Sequence, residues 1–474
     1  ALVDELELAE GLLASQPSAG VILNGLDSRS GAANVNHGQG GSLLQPLGVA
    51  AAAGQEITIY AEGIPSGEKV EIFATQFNAE ANAWMSSMGT LENGRNVLTV
   101  PRIGSQDTPR GGSLYVSYSG SSSQSIRLHV RRAVNIPVLE LSHWNDMTAE
   151  ARAAAVIDYL AELNAYAPAQ NTAAVNDWRN VTEISTPSVL LSLPAAAVRS
   201  ALAADGESQL TNAVLAWEQV MKICRTVQGI PEFPQTRQNI RCMQMFPGAF
   251  MYAAGSHIGI GYGSCGGMVS GSPVVGITTE ANHLFGWGIA HEIGHNMDKL
   301  GKAEITNNIY SLAVQTFDGG QNILSSRLEN SGKYEAIFNK TAQSRPGASG
   351  DVFVQLGMYW QLHLAYDEGD KPLEFYNKFF KAWKAGTYFA GQTAYDDKVA
   401  LTASAVSGKD LTEFFTRWGM TLSEATQEKL KTYEKETRAI WYLSDQSRRE
   451  RLSNTEAASG TLTFTAAEEK ENPK

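Results

Sequence analysis

Between residues 45 and 133 the apolar positions fall at every second residue. In EITIYAEG they are Ile57, Ile59 and Ala61; in KVEIFAT, Val70, Ile72 and Ala74. SLYVSYS repeats the pattern with Leu114, Val116 and Tyr118, and SIRLHVR with Ile126, Leu128 and Val130. A period of two puts such side chains on one face of a strand. The Gly, Pro and Ser clusters between the runs are turn signals. The pattern predicts a small antiparallel β-sandwich. It carries no cluster of titratable residues, so support or recognition is expected of it rather than catalysis.

On either side the period changes. LVDELELAEGLLAS places Leu2, Leu6, Ala9 and Leu12 on one helical face, and GLDSRSGAANVNHGQGGS (25–42) reads as a loop or linker. Past residue 134 the texture is mixed. Helical spacing runs over 148–165 and 208–229, and SVLLSLP (188–194) is a buried strand stopped by Pro194. Beyond 350 the chain reads as helical through GMYWQLHLAYD, PLEFYNKFFKAWKAG, DLTEFFTRWGM and TQEKLKTYEKETRAIWYLSD. The expected organisation is a helix and linker (1–44), the sandwich (45–133), a mixed α/β domain with a helical C-terminal half (134–453) and a polar tail (454–474). The fold class is α+β. No internal repeat points to a solenoid.

Composition narrows the function. With 474 residues, 43% hydrophobic and 18% charged, the chain is a folded protein of more than one domain. A net charge of −12 argues against a nucleic-acid or anionic-membrane partner. No apolar run approaches the ~20 residues that span a bilayer. The sequence opens ALVDELELAE, so an export signal removed ahead of Ala1 is the expectation, with a secreted or cell-surface bacterial location. A monomer is expected. Cys224, Cys242 and Cys265 contain no CxxC. Buried free thiols are the plain reading, and a Cys224–Cys242 bridge is the alternative.

The chemistry concentrates in GWGIAHEIGHNMDKLGKAEITNN, residues 286–308. His291 and His295 are one helical turn apart on one face, where two imidazoles can bind one Zn²⁺. Glu292 sits beside them and can take a proton from an activated water. Ile289, Ile293 and Met297 make the opposite face apolar. A third ligand is needed. Asp298 shares the face but lies roughly 10 Å along the helix from His291, too far to meet it at one ion. Gly301 occupies the position where a metzincin has its third histidine. Glu304 is the better candidate: Gly301 can end the first helix in a left-handed conformation, and KAEITNNIYSLAVQTF then starts a second helix with Glu304 in its first turn. The alternative is a solvated polar helix face.

HEIGHN followed shortly by EITNNIYSL resembles the enhancin-like zinc metallopeptidases, whose pattern is H-E-x-x-H and then a ligating Glu. GMYWQLHLAY and GKDLTEFFTRWGM are similar to that family's helical half, and the sandwich ahead fits its layout. The resemblance covers about 45–450. It implies a zincin-type fold and a gluzincin peptidase with His291, His295 and Glu304 as Zn²⁺ ligands and Glu292 as general base. It also implies a substrate class, O-glycosylated mucin-like glycoproteins cut beside glycosylated Ser or Thr.

Other roles stay open in the sequence. An oxyanion donor would come from Tyr310, Tyr359, His257, His283 or His363. Asn296, Asp298, Asn307 and Asn308 are candidates for orienting the histidines. Trp287, Trp360, Asn307 and Asn308 are candidates for holding a glycan. The glycine-rich GAFMYAAGSHIGIGYGSCGGMVSG (248–271) lacks the G-K-[ST] of a phosphate loop and reads as an edge strand for substrate pairing, or as an ordinary loop. Two further functions compete: a zinc peptidase indifferent to glycans, and a glycan-binding adhesin with a vestigial centre. The intact Glu292 speaks against the last.

Overall fold

A computed structural model of the chain describes residues 18–23 (backbone only), 44–77, 84–103, 111–118, 126–171, 177–230, 237–255, 257–270, 287–317, 324–342, 350–367 and 373–453. The expected helix at Leu2–Leu12, the 25–42 linker, His283 and the 454–474 tail lie outside these. The chain forms two compact units, one of residues 1–218 with 233–273 and one of residues 219–232 with 274–474.

The first unit holds the expected sandwich. One sheet has the order β1 (Ser18–Leu23), β8 (Ile126–Arg131), β3 (Glu56–Glu62), β6 (Gly94–Thr99). The other runs β5 (Met85–Thr90), β4 (Val70–Thr75), β7 (Gly111–Tyr118), β2 (Leu44–Ala52), β9 (Val134–Asn135). Ile57, Ile59, Val70, Ile72, Leu114, Val116, Leu128 and Val130 share one buried core, as their alternation requires. Ser18–Leu23, inside the stretch expected to be helix and linker, instead pairs antiparallel with β8. A six-stranded mixed sheet follows in the order β10 (Val138–Glu140), β11 (Thr182–Ser185), β12 (Val189–Leu193), β13 (Gln238–Cys242), β15 (Ile258–Ile260), β14 (Met251–Ala253). Leu44, Trp84 and Tyr115 of the sandwich pack with Leu190, Met243 and Tyr252 of this sheet. Helix α1 (Ala149–Ala165) starts at Thr148, whose hydroxyl accepts from the Ala151 N–H at 3.2 Å.

The second unit is helical among the described residues. It contains α3 (Ile289–Met297), α4 (Asn308–Gln315), α5 (Val352–Tyr366), α6 (Glu374–Ala385), α7 (Tyr395–Ser407) and α8 (Asp445–Ser453). The expected helix of 208–229 is α2, Gly206–Gln228. Left-handed Gly386 (φ 64°) ends α6 at the predicted place. The expected continuous helix over TQEKLKTYEKETRAIWYLSD breaks instead. An α-helix covers Glu424–Leu430, after which Glu434–Lys435 pairs in parallel with Lys409–Asp410 and Ile440–Tyr442 forms a single 3-10 turn. Helix α8 is anchored by buried Asp445, which accepts from Ser326 Oγ (2.6 Å), Tyr334 OH (2.5 Å) and Trp360 Nε1 (3.0 Å). All three cysteines are buried and free, so the Cys224–Cys242 bridge is not formed. No described helix is long and apolar enough to cross a membrane.

Where the sandwich meets the mixed sheet, Glu183 of β11 is fully buried. It accepts from Tyr115 of β7 and, at 2.7 Å, from Ser192 of β12. Burial pushes its carboxyl up to about 6, against these hydrogen bonds and the Arg241 charge. Below about 4.5 folded and unfolded chains both hold the proton; between about 4.5 and about 6 only the folded chain does. Stability therefore falls as pH rises through that window. Relative to wild type, Glu183→Gln should gain about 2 kcal/mol between pH 4 and pH 8, measured by urea unfolding. A difference that does not change with pH would refute this assignment.

Candidate metal centre

Helix α3 sits where its apolar stripe dictates. Ile289, Ile293 and Met297 are fully buried, which leaves His291 and His295 on the opposite, half-exposed face. The helix stops at Met297, earlier than the expected end at Gly301. Asp298 adopts an extended conformation (φ −62°, ψ 137°), and its carboxylate accepts from the N–H groups of Leu300 and Gly301 at 3.0 Å each and from Thr306 Oγ1 at 2.6 Å. These bonds turn the chain back. Gly301 is left-handed (φ 75°), but as part of this turn rather than as the helix cap.

Glu304 lies within the turn, four residues ahead of α4, and not in the first turn of a helix as expected. Its φ is 66°, a left-handed conformation that costs a non-glycine residue about 1–2 kcal/mol. Asn308 holds it there: Asn308 Nδ2 donates to the Glu304 carbonyl at 2.9 Å. The same amide's Oδ1 lies 2.7 Å from His291 Nδ1, and Ser311 Oγ donates to that Oδ1 at 3.0 Å. Asn307 Nδ2 approaches the His291 ring and the His291 carbonyl at 3.3 and 3.4 Å.

The two segments that carry His291 and Glu304 touch because of one glycine. A Cβ on Gly294 would lie 2.2 Å from the Asn307 carbonyl oxygen, so only glycine lets α3 approach the return turn this closely. Gly294 was not among the expected site residues. Its signal in the sequence was a glycine inside a helical motif, which disfavours helix unless close packing requires it.

Three donor atoms converge as a result. His291 Nε2 and His295 Nε2 are 3.1 Å apart, and Glu304 places one carboxylate oxygen 3.1 Å from His295 Nε2 and the other 3.4 Å from His291 Nε2. Ligand atoms around a tetrahedral ion with bonds of 2.0–2.1 Å stand about 3.3 Å from one another. Two nitrogens and a carboxylate at these separations therefore fit a single divalent cation. Among the described residues this is the one cluster of metal-ligating groups brought together. The histidine side chains are 19% and 24% exposed and that of Glu304 56%, so the triangle opens to solvent on one side.

The electrostatics suit a ligand set. Burial, then the neighbouring His291, lowers His295 against the pull of Glu304, favouring the neutral imidazole that binds metal. Glu292 is buried, and burial together with the Glu304 carboxylate pushes it up to about 7.

Asn296 is buried, and Asp298 organises the turn through the bonds given above. Asn307 and Asn308 are 1% and 2% exposed and turned to His291, a positioning arrangement and not a sugar-facing one. Trp360 is buried in the core on Asp445, which removes it as a glycan platform. Trp287 is half-buried, its ring 6.0 Å from that of Phe353 and 4.7 Å below the Arg327 guanidinium. Tyr310 and His363 are fully buried, Tyr310 reaching the Met297 carbonyl and His363 paired with Asp367. His257, in the first unit, packs on Trp84 and Tyr252. The Tyr359 hydroxyl meets that of Tyr395 at 2.8 Å. The glycine-rich stretch does supply the edge strand β14, but Gly259 serves internal packing: a Cβ there would lie 2.3 Å from the Tyr252 ring.

Fold and site together define a metallopeptidase. The sequence pattern of peptidase M60, enhancin and enhancin-like, matches residues 176–419, more than half of the chain, and the protein belongs to that family. Its structure is similar to the M60 catalytic domain of Clostridium perfringens ZmpC, solved with the sialyl T antigen (TM-score 0.73, 24% identity, 91% of this chain and 82% of that one). It is also similar to the ZmpB metallopeptidase of Clostridium perfringens (TM-score 0.73, 23% identity, 90% and 84%). A metallopeptidase in complex with the Tn antigen shares the fold at TM-score 0.62 and 18% identity, over 88% and 78%. No curated protein matches the chain.

Removing the amide that links His291 to Glu304 should loosen the triangle. Asn308→Ala is expected to lower divalent-metal affinity about 10–100-fold, measured by chelator competition with circular dichroism as the control for folding. Gly294→Ala should lose at least as much, because α3 can no longer reach the turn. Unchanged affinity in both variants would show that the linkage does not position the ligands.

Proposed function

We propose that this protein is an exported zinc endopeptidase that cleaves O-glycosylated, mucin-type glycoproteins next to glycosylated Ser or Thr. The observation that carries the reading is the donor triangle of His291, His295 and Glu304, with the buried Glu292 next to His291 on the same helix. Two imidazoles and one carboxylate are a known hydrolytic ligand set for zinc. When bound, zinc supplies Lewis acidity, making water a usable nucleophile near neutral pH and polarising the scissile carbonyl.

The chain's own residues do the rest. Asn308 accepts from His291 Nδ1–H, which keeps the Nε2 lone pair directed into the triangle. Glu292 takes the proton released by water and returns it to the leaving amine. A carboxylate at this place on α3 can serve both steps, accepting a proton from water and later giving it to the amine. The exposed side of the Glu304 carboxylate leaves room for a substrate backbone.

Support for the glycan requirement comes from relatives of the same fold, solved with the sialyl T antigen in one case and the Tn antigen in another. A second reading, a zinc peptidase indifferent to glycans, draws on the burial of Trp360, Asn307 and Asn308, three of the four residues expected to meet a sugar.

Glu292→Ala should retain metal and glycoprotein binding while cleavage falls by on the order of 10²–10⁴. Undiminished turnover in this variant would remove the mechanism. Chelation is expected to silence the enzyme and added Zn²⁺ to restore it. Peptides identical except for one O-linked sugar separate the two readings: equal cleavage of both would leave only the glycan-indifferent peptidase.

A further inference from the structure

Beside the Glu304 turn the second unit bears a half-open cavity of ≈ 240 Å³. Lys302 and Ile305, on either side of Glu304 in the chain, form part of its wall. Two residues of chain span at most ~7 Å, so the cavity borders the metal triangle. Its volume is below the ~300–1,000 Å³ of pockets that enclose drug-sized ligands, and suits one ring-sized unit.

The lining is cationic and aromatic. Lys302 Nζ lies 4.5 Å from the centre of the Tyr395 ring, and among the described residues no carboxylate pairs with it. Lys340 Nζ donates to the Trp418 carbonyl at 2.9 Å and lies 5.7 Å from that ring's centre. Burial holds Lys340 below the ordinary lysine range, so the wall is partly desolvated. Asp396 is the one acid in the lining, and its Oδ2 already accepts from the Thr421 N–H at 2.9 Å. The hydroxyls of Tyr359 and Tyr395 add a polar pair. The lining thus holds two lysines, one of them tied to a carbonyl, and one engaged acid, in a chain whose net charge is −12.

Such a lining suits an anion. Aromatic rings and phenol hydroxyls around a ring-sized space favour an anion carried on a sugar. We propose that this cavity binds a carboxylate-bearing monosaccharide unit of the substrate's glycan. The anion follows from the lining alone, whereas the choice of a sugar rests on the glycopeptidase reading.

The test measures binding without catalysis, on the full metal-loaded chain, by calorimetry. Three probes separate charge from scaffold: methyl glucuronide, methyl glucoside, which differs in having CH₂OH in place of the carboxylate, and N-acetylglutamate, a carboxylate without a sugar ring. The glucuronide should bind about tenfold more tightly than either of the others, the scale of one charge-assisted hydrogen bond. Lys302→Met, a change at an exposed side chain, should abolish that preference and leave metal content unchanged. Lys340→Met should weaken it. Equal affinity for the two glycosides overturns the proposal, as does a preference that survives Lys302→Met. Equally tight N-acetylglutamate overturns the sugar. Cleavage of glycoprotein without glucuronide binding refutes this site alone, and glucuronide binding without any cleavage refutes the peptidase reading alone.

Discussion

The donor triangle of the second unit depends on what one side-chain amide does with its two ends. Asn308 offers its oxygen to the imidazole of His291 and its nitrogen to the backbone of Glu304. The first contact fixes which ring nitrogen of His291 is free. The second holds Glu304 in a backbone conformation it would not choose. Because both ends belong to one rigid planar group, the positions of a helix residue and a turn residue become a single degree of freedom. The same amide is buried and receives the Ser311 hydroxyl, so it cannot rotate away without leaving polar groups unpaired. A site built this way is preorganised before any ion arrives, which is what exact ligand distances require.

The first unit solves a different problem. Its sandwich and its mixed sheet share an apolar layer made by Leu44, Trp84 and Tyr115 with Leu190, Met243 and Tyr252. Within that layer lies a buried acid, Glu183, satisfied by hydroxyls from both sides. An apolar residue there would pack without needing partners. A carboxyl works only if Tyr115 of β7 and Ser192 of β12 are both in register. The polar group therefore specifies how the two sheets are aligned, at a cost in stability.

How much of this the sequence disclosed follows from how local each cause is. Alternation at Ile57–Ala61 or Ile126–Val130 is written within a few residues, so those strands were legible. The spacing of His291 and His295 likewise needs only the helical period. Polar segments such as MSSMGT (β5) and GRNVLT (β6) become strands because neighbours pair with them, and little in their own pattern says so. The end of α3 depends on Asp298 meeting Thr306, and the Trp360 core position on Asp445, contacts spanning 8 and 85 residues. The need for a third ligand after His295 and the family resemblance both point to Glu304, but neither indicates the left-handed turn that delivers its carboxylate. The enabling role of Gly294 also depended on a neighbour distant in sequence.

The left-handed Glu304 has a consequence for how this chain can change. At that φ the backbone prefers glycine, whereas the proposed chemistry needs an acid. Local folding energy and catalysis thus pull one codon in opposite directions. A laboratory selection that rewards heat resistance alone would find glycine here an easy gain and drift toward a sturdier, inert protein. Acidic identity at 304 persists only while something in the organism's life depends on the reaction.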